Sequence, residues 1–209
     1  MYILYMSLKN DKISPRSRIL AAASALFYEK GLEETTFAAI AKHAKTSQPN
    51  IYIHFKNKMD LLKYVCLEAA ECGRNFIDAR INPQAPAPAR FASYLEGNLD
   101  FFRTKKIQAH SLMALYYFAA SSKEIETIFN LVQQTGLQRI ETFLIQGNYE
   151  HSYAIENTED KARLIHSILV GDCYKVIYAK TESDAKKIKR SSLESIEKIV
   201  QPTAALPQG

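Results

Sequence analysis

Between residues 46 and 58 the chain reads Thr-Ser-Gln-Pro-Asn-Ile-Tyr-Ile-His-Phe-Lys-Asn-Lys, and these side chains suit recognition rather than bond making. Gln48 and Asn50 carry carboxamides, which place a donor beside an acceptor and match the major-groove edge of adenine. Each such bidentate pair is worth about 1–3 kcal/mol of discrimination. Tyr52, His54, Lys56 and Lys58 carry groups that bond to phosphate oxygens. Ser47 and Thr36 stand where helices can start, so their hydroxyls face either a helix's first amides or a phosphate.

Those side chains need rigid elements beneath them. Ser14 can cap a first helix with Pro15 in its opening turn, and Ile19, Leu20, Ala23, Leu26 and Phe27 recur at helical spacing before Gly31 stops it. Thr36 is placed to cap a short second helix carrying Phe37, Ile40 and Ala41, ending near His43 to Lys45. Thr46 or Ser47 then starts a third, with Pro49 in its first turn. Ile51 and Phe55 would sit on the platform of the first two helices, leaving Gln48, Asn50, Tyr52 and His54 directed away. A long fourth helix follows Asn57-Lys58, with Leu61, Leu62, Val65, Ala69, Cys72 and Phe76 as its buried stripe and an anion-binding first turn. Three short helices joined by tight turns, the third amphipathic, predict a helix-turn-helix.

The charge supports this reading. Residues 1–64 hold ten Lys or Arg against five Asp or Glu, whereas residues 65–209 hold 17 of each, so the whole +5 excess lies in the first third. Such a basic field suits a polyanion, because each neutralised phosphate releases condensed counterions. Lys9, Lys12, Arg16 and Arg18 would supplement it from a flexible arm or form a solvated tail. Catalytic and metal chemistry find no foothold: Cys66, Cys72 and Cys173 lack metal or disulfide spacing and read as reduced, mostly buried thiols. His43, His54, His110, His151 and His166 are scattered, and no paired-carboxylate or nucleophile motif appears. No cofactor is implied. No stretch reaches about 18 uninterrupted apolar residues, so the protein is expected to stay in the cytoplasm, away from membranes. Met1 and Met6 both stand open as the translational start.

Further along, Asn82 to Pro88 holds three prolines in seven residues and reads as a linker. Helical patterns follow at about Ala89 to Arg103, Ile107 to Ala120, Ser122 to Gly147, Asn157 or Thr158 to Lys180, and Ser183 to Val200, with Pro202 to Gly209 as a tail. The expected fold is all-α, about nine helices: a helix-turn-helix domain over residues 1–62 and a helical domain over 63–209. The run Lys186-Lys187-x-Lys189-Arg190 reads as a solvated helix face in preference to a second nucleic-acid patch.

Arg18-Ile19-Leu20, Leu26-Phe27, Gly31, Thr35-Thr36, Ile40-Ala41 and above all Ser47 to Lys58 with Leu61-Leu62 resemble the DNA-binding domain of the tetracycline-repressor (TetR) family. The resemblance covers residues 16–62. It implies a bacterial all-helical homodimer with a reading head and a divergent ligand-binding, dimerising C-terminal domain. By position, Thr36, Tyr52 and Lys58 would grip phosphates, while Gln48, Pro49 and Asn50 would face bases. Two departures stand out. Many relatives have Gly where this chain has Lys45, and helix two offers only Phe37, Ala38 and Ala39 where some relatives place a basic base-reading side chain.

The resemblance further implies that the last two helices pair across a two-fold axis, and the apolar Ile165, Ile168, Leu169 and Val176 of one and Ile188 and Ile196 of the other allow it. A two-fold dimer predicts a palindromic operator on double-stranded DNA. A small-molecule inducer would sit among helices four to eight, where Phe101, His110, Met113, Tyr116, Tyr117 and Tyr174 form an aromatic-rich set. Ligand would favour a conformer whose heads are wrongly spaced for the operator. Repression or activation stays open, and a helical enzyme or a protein-only adaptor are the competing functions.

Overall fold

Side-chain caps decide where most of the helices begin. A computed structural model describes residues 14–201; Lys9, Lys12, both candidate starts and the 202–209 tail lie outside the described residues. Within them the chain forms α1 (Pro15–Glu34), α2 (Phe37–His43), α3 (Gln48–His54), α4 (Lys58–Asp78), α5 (Ala87–Thr104), α6 (Lys106–Phe118), α7 (Lys123–Tyr149), α8 (Thr158–Ile177) and α9 (Glu182–Val200), with no strand. Ser14, Thr36, Ser47, Ser122, Asn157 and Thr181 each accept a hydrogen bond from a first-turn amide of the helix they precede. Such caps are each worth about 1 kcal/mol.

The described residues fall into two compact units that divide between Val65 and Cys66, inside α4. In the first unit Ile19, Leu20, Ala23, Leu26 and Phe27 of α1 meet Phe37, Ile40 and Ala41 of α2, with Ile51, Phe55, Leu61 and Leu62 completing a buried core. Gly31 (φ 81°) breaks the helical path of α1, as a positive φ requires.

In the second unit the core joins Phe91, Tyr94, Leu95 and Leu99 of α5, Ile140, Phe143 and Leu144 of α7, Ala162, Ile165, Leu169 and Cys173 of α8, and Ile196 and Val200 of α9. Two local expectations are corrected. On α4 the inward seam runs through Cys66, Ala69, Gly73 and Ile77, leaving Cys72 and Phe76 only half-buried, because the helix turns its buried ridge one residue further on. Pro88 belongs to the first turn of α5, where its missing N–H costs nothing. Cys66 and Cys173 are buried free thiols, and burial pushes the Cys66 thiol up to about 12.

The residues expected at a dimer face fall into two groups. Ile165, Leu169, Val176 and Ile196 are 0–3% exposed within the chain itself, because α8 packs on α5, α7 and α9. Ile168 and Ile188 are half-buried. The apolar groups α8 leaves outward are Leu164, 48% exposed, and Tyr178 at its C-terminus, 70% exposed. Leu164, Ile168, Gly171, Lys175 and Tyr178 follow one another at alternating steps of four and three, the spacing of a helix–helix seam. The Lys186 to Arg190 run is a helix face: Lys189 bonds Asp100 (3.0 Å) and Glu96 (3.1 Å), and Arg190 pairs with Glu194 (3.7 Å).

Candidate nucleic-acid interface

α3 is a seven-residue helix held from behind. Ile51 (0% exposed) and Phe55 (1%) anchor it to the platform, Ser47 Oγ accepts from Asn50 N at 3.3 Å, and Pro49 fits the first turn, where no amide is required. Successive residues rotate by about 100°, so Pro49 and Ile53 lie most nearly opposite Ile51, and Asn50 and Tyr52 flank them. Exposure agrees: Gln48 and Pro49 are exposed, Tyr52 is 56% and Ile53 77% exposed, while Asn50 and His54 are half-buried.

The expected outward set of Gln48, Asn50, Tyr52 and His54 therefore needs adjusting. It follows every second residue, which is a strand's period. Helical rotation turns His54 partly back toward the platform and brings out Ile53, which the sequence reading passed over. Ile53 was visible as the residue four on from Pro49 and out of phase with Ile51 and Phe55.

The neighbouring groups are tied in different ways. Tyr52 packs edge-on against Phe37, ring centres 4.9 Å apart, which restrains the tyrosine ring. Thr36 is exposed, its hydroxyl accepting from Ala39 N at 3.1 Å to cap α2. Lys56 is exposed. Lys58 behaves otherwise: its ammonium donates to Leu32 O and Glu33 O, 2.9 Å each, stitching the end of α1 to the start of α4. The anion site expected at that helix start is already answered from within. Asn57 Oδ1 accepts from Asp60 N at 2.8 Å, and the Asp60 carboxylate accepts from Lys56 N at 3.1 Å. Burial works against charge on Asp60, but the Lys63 ammonium (2.9 Å) and the Lys56 amide outweigh it and hold the carboxyl below its usual range.

Arg16 and Arg18 belong to the platform and not to a loose arm. The Arg16 guanidinium lies 4.4 Å from the Tyr64 ring centre and 5.4 Å from that of Phe55, and Arg18 Nε donates to Ala44 O at 3.4 Å. Lys45 takes φ 52° in the turn between α2 and α3, the left-handed conformation that a glycine would adopt without strain.

The aromatic set of the second unit is only partly assembled. Tyr116, Phe129 and Tyr174 meet edge to face, with centres 4.9 and 5.4 Å from Tyr116, and Tyr116 donates to Gln133 at 2.9 Å. The Tyr174 hydroxyl is buried without a hydrogen-bond partner. His110 and Met113 are half-buried; burial lowers the imidazole pKa of His110, as it does for His166. Phe101 is fully buried against Phe76 and Phe102, and Tyr117, 77% exposed, stands outside any lining. An open cleft of about 620 Å³ lies elsewhere, between the α4–α5 connection and α7, with Arg90, Arg139, Gln138 and Phe143 in its walls. No group of His, Cys, Asp and Glu among the described residues could hold a metal, and no helix among them is long and apolar enough to cross a membrane.

A short helix presented outward on two supporting helices has the arrangement of a helix-turn-helix unit. Residues 19–65 match the family profile described as bacterial regulatory proteins, tetR family. The transcriptional repressor BepR of Brucella suis is 27% identical over 126 residues, 60% of this chain, and the chain spans about half (53%) of that relative's length. A transcriptional regulator from Saccharomonospora viridis, solved in complex with choline, shares the fold with a TM-score of 0.78 at 19% identity, over 87% of this chain and 95% of that one. A tetR-family regulatory protein from Rhodococcus RHA1 does so with a TM-score of 0.72 at 23% identity, over 91% and 99%. Over residues 19–65 the chain therefore carries the segment that this tetR-family profile describes, and the relatives it matches are transcriptional regulators.

Proposed function

We propose that this protein is a ligand-released transcriptional repressor that binds a palindromic operator in double-stranded DNA as a homodimer. The observation that carries the reading is the division of α3: Ile51 and Phe55 are sunk in the platform while Gln48, Pro49, Tyr52 and Ile53 stand in solvent. In a major groove Gln48 and Asn50 read base edges, and Pro49 and Ile53 pack on thymine methyl groups. Tyr52, Lys56, Ser47 and Thr36 meet phosphates, with His54 at the edge; Lys58 chiefly braces the head. The Leu164 to Tyr178 ridge of α8 and the half-buried Ile188 of α9 form the dimer seam.

The ligand sits at Tyr116, Phe129 and Tyr174, with His110 and Met113 nearby. Two observations support this: the unpartnered Tyr174 hydroxyl, and the choline bound by the S. viridis neighbour, since aromatic clusters attract quaternary ammonium ions. Choline is accordingly the first ligand to test, as a rise in melting temperature and a loss of duplex binding.

The decisive experiment is binding of duplex DNA across salt. A dimer contacting several phosphates loses orders of magnitude of affinity between about 50 and 200 mM salt, and Gln48→Ala relaxes preference at particular base pairs. A flat salt curve would overturn the reading in favour of a protein-only adaptor.

A further inference from the structure

Asn50 is the one base-directed side chain of α3 that is tethered. Its carboxamide nitrogen donates to Thr46 Oγ1 at 2.9 Å, from the third helical residue back to the residue before the cap. The bond is not what starts the helix. Ser47 already caps α3, and the Thr46 amide is held by Ala41 O at 3.0 Å. What the Thr46 hydroxyl restrains is the Asn50 side chain, with the carboxamide nitrogen turned toward it.

That facing has a chemical consequence. A carboxamide has two N–H donors and one carbonyl acceptor. With one N–H given to Thr46, the remaining N–H and Oδ1 are the pair that adenine asks for, a donor for N7 and an acceptor for the N6 amino group. The opposite setting, with Oδ1 accepting from the Thr46 hydroxyl, would leave two N–H groups outward and suit the O6 and N7 acceptors of guanine instead. A loose asparagine would sample both.

We propose that Thr46 is a positioning residue for adenine readout: its hydroxyl holds Asn50 in the one facing that selects adenine over guanine before DNA arrives. The proposal rests on the DNA-binding reading above and adds a second residue to it, one that touches no base itself.

The test is selection of bound sequences from random duplexes by the full chain, alongside Thr46→Val, Thr46→Ser, Asn50→Ala and the Thr46→Val/Asn50→Ala pair. Valine keeps the shape and removes the acceptor. The chain as it stands should prefer adenine at one position of each half-site. Thr46→Val should cut that preference about ten-fold at this position alone, with melting temperature and low-salt affinity for unselected duplex unchanged. Thr46→Ser should retain the preference, and Thr46→Val should have no further effect on it once Asn50 is alanine. An unaltered adenine preference in Thr46→Val, a guanine preference in the unmodified chain, or a preference indifferent to Asn50→Ala would each overturn the proposal while leaving DNA binding intact. Absence of any duplex binding would overturn the DNA-binding reading itself, and this proposal with it.

Discussion

α3 and α8 are both amphipathic helices, and they use their faces in opposite ways. α3 has seven residues and two inward anchors, and its outer face is empty because nothing in its unit covers it. α8 has 20 residues, and its main apolar stripe, Ile165, Leu169, Cys173 and Val176, is covered by helices of the same unit. Only a second, thinner ridge from Leu164 to Tyr178 looks outward. In α3 the residues that the core does not use thus make up most of the helix, whereas in α8 the most apolar residues are core and the less apolar ones stay outward.

The sharpest way to break this comparison is to exchange the two ridges of α8. Ile165→Ala opens a cavity among α5, α7 and α9 and should cost about 2–5 kcal/mol, read as a lower urea midpoint. Leu164→Glu, one residue away, should leave the fold intact and shift sedimentation from dimer to monomer. Dissociation without destabilisation in Ile165→Ala would reverse the roles assigned to the two ridges.

Sequence period makes the difference between the two regions intelligible. Spacing tells which residues of a helix lie together, and for α3 that sufficed, because a helix of two turns has room for one anchored side. It placed Ile51 and Phe55 inward and a cap at Thr46 or Ser47, of which the structure uses Ser47. Even there, stepping along alternate residues hid Ile53, since rotation by about 100° per residue sets the outward pair at Pro49 and Ile53. For α8 spacing found the apolar residues but not their partner: Ile165 reads identically whether its neighbour is Phe143 of the same chain or a second copy. The Lys58 to Leu32 and Glu33 bonds were equally invisible, because they depend on how the end of α1 returns past α4.

Those Lys58 bonds give the next largest effect, now inside the head. Lys58→Met keeps the stem and removes the ammonium, leaving two carbonyls without their donor. Hydrogen bonds to charged groups are worth about 1.5–3 kcal/mol, and partial exposure reduces this, so a loss of about 2 kcal/mol in the first unit is expected by hydrogen exchange. Weaker DNA binding with no change in protection would return Lys58 to a purely phosphate-facing role.

The second unit should differ from the head in its response to acid. His110 and His166 have folded pKa values below 6.5 because burial disfavours the charged ring. The unfolded chain takes up its protons near pH 6.5, ahead of the folded one. The stability these neutral rings provide is therefore full above that point and falls as pH drops toward the lower folded values. Urea midpoints of the second unit should decline between pH 7 and pH 5, and His166→Gln should flatten the decline. Equal decline in both proteins would place the titration elsewhere.

Lys45 gives the smallest effect and the finest test of the head. At φ 52° its Cβ crowds the backbone, a strain of about 1–2 kcal/mol in L-residues. The turn is nonetheless kept, because Thr46 N bonds Ala41 O at 3.0 Å and Ala44 N bonds Ile40 O at 2.8 Å on either side of it. Lys45→Gly relieves the strain but also loosens the unfolded chain by about 0.4–1 kcal/mol, so the net gain should lie between about 0 and 1.6 kcal/mol. Lys45 is exposed beside the start of α3, and removing its charge should weaken binding to every duplex alike and lower the salt slope by about one. Greater stability with weaker, equally selective binding is thus the expected signature: the strained lysine holds a charge next to the groove where glycine would have made the easier turn. A Lys45→Gly head that is no more stable, or that changes which bases are preferred, would mean that the turn's conformation follows from α3 and does not set it.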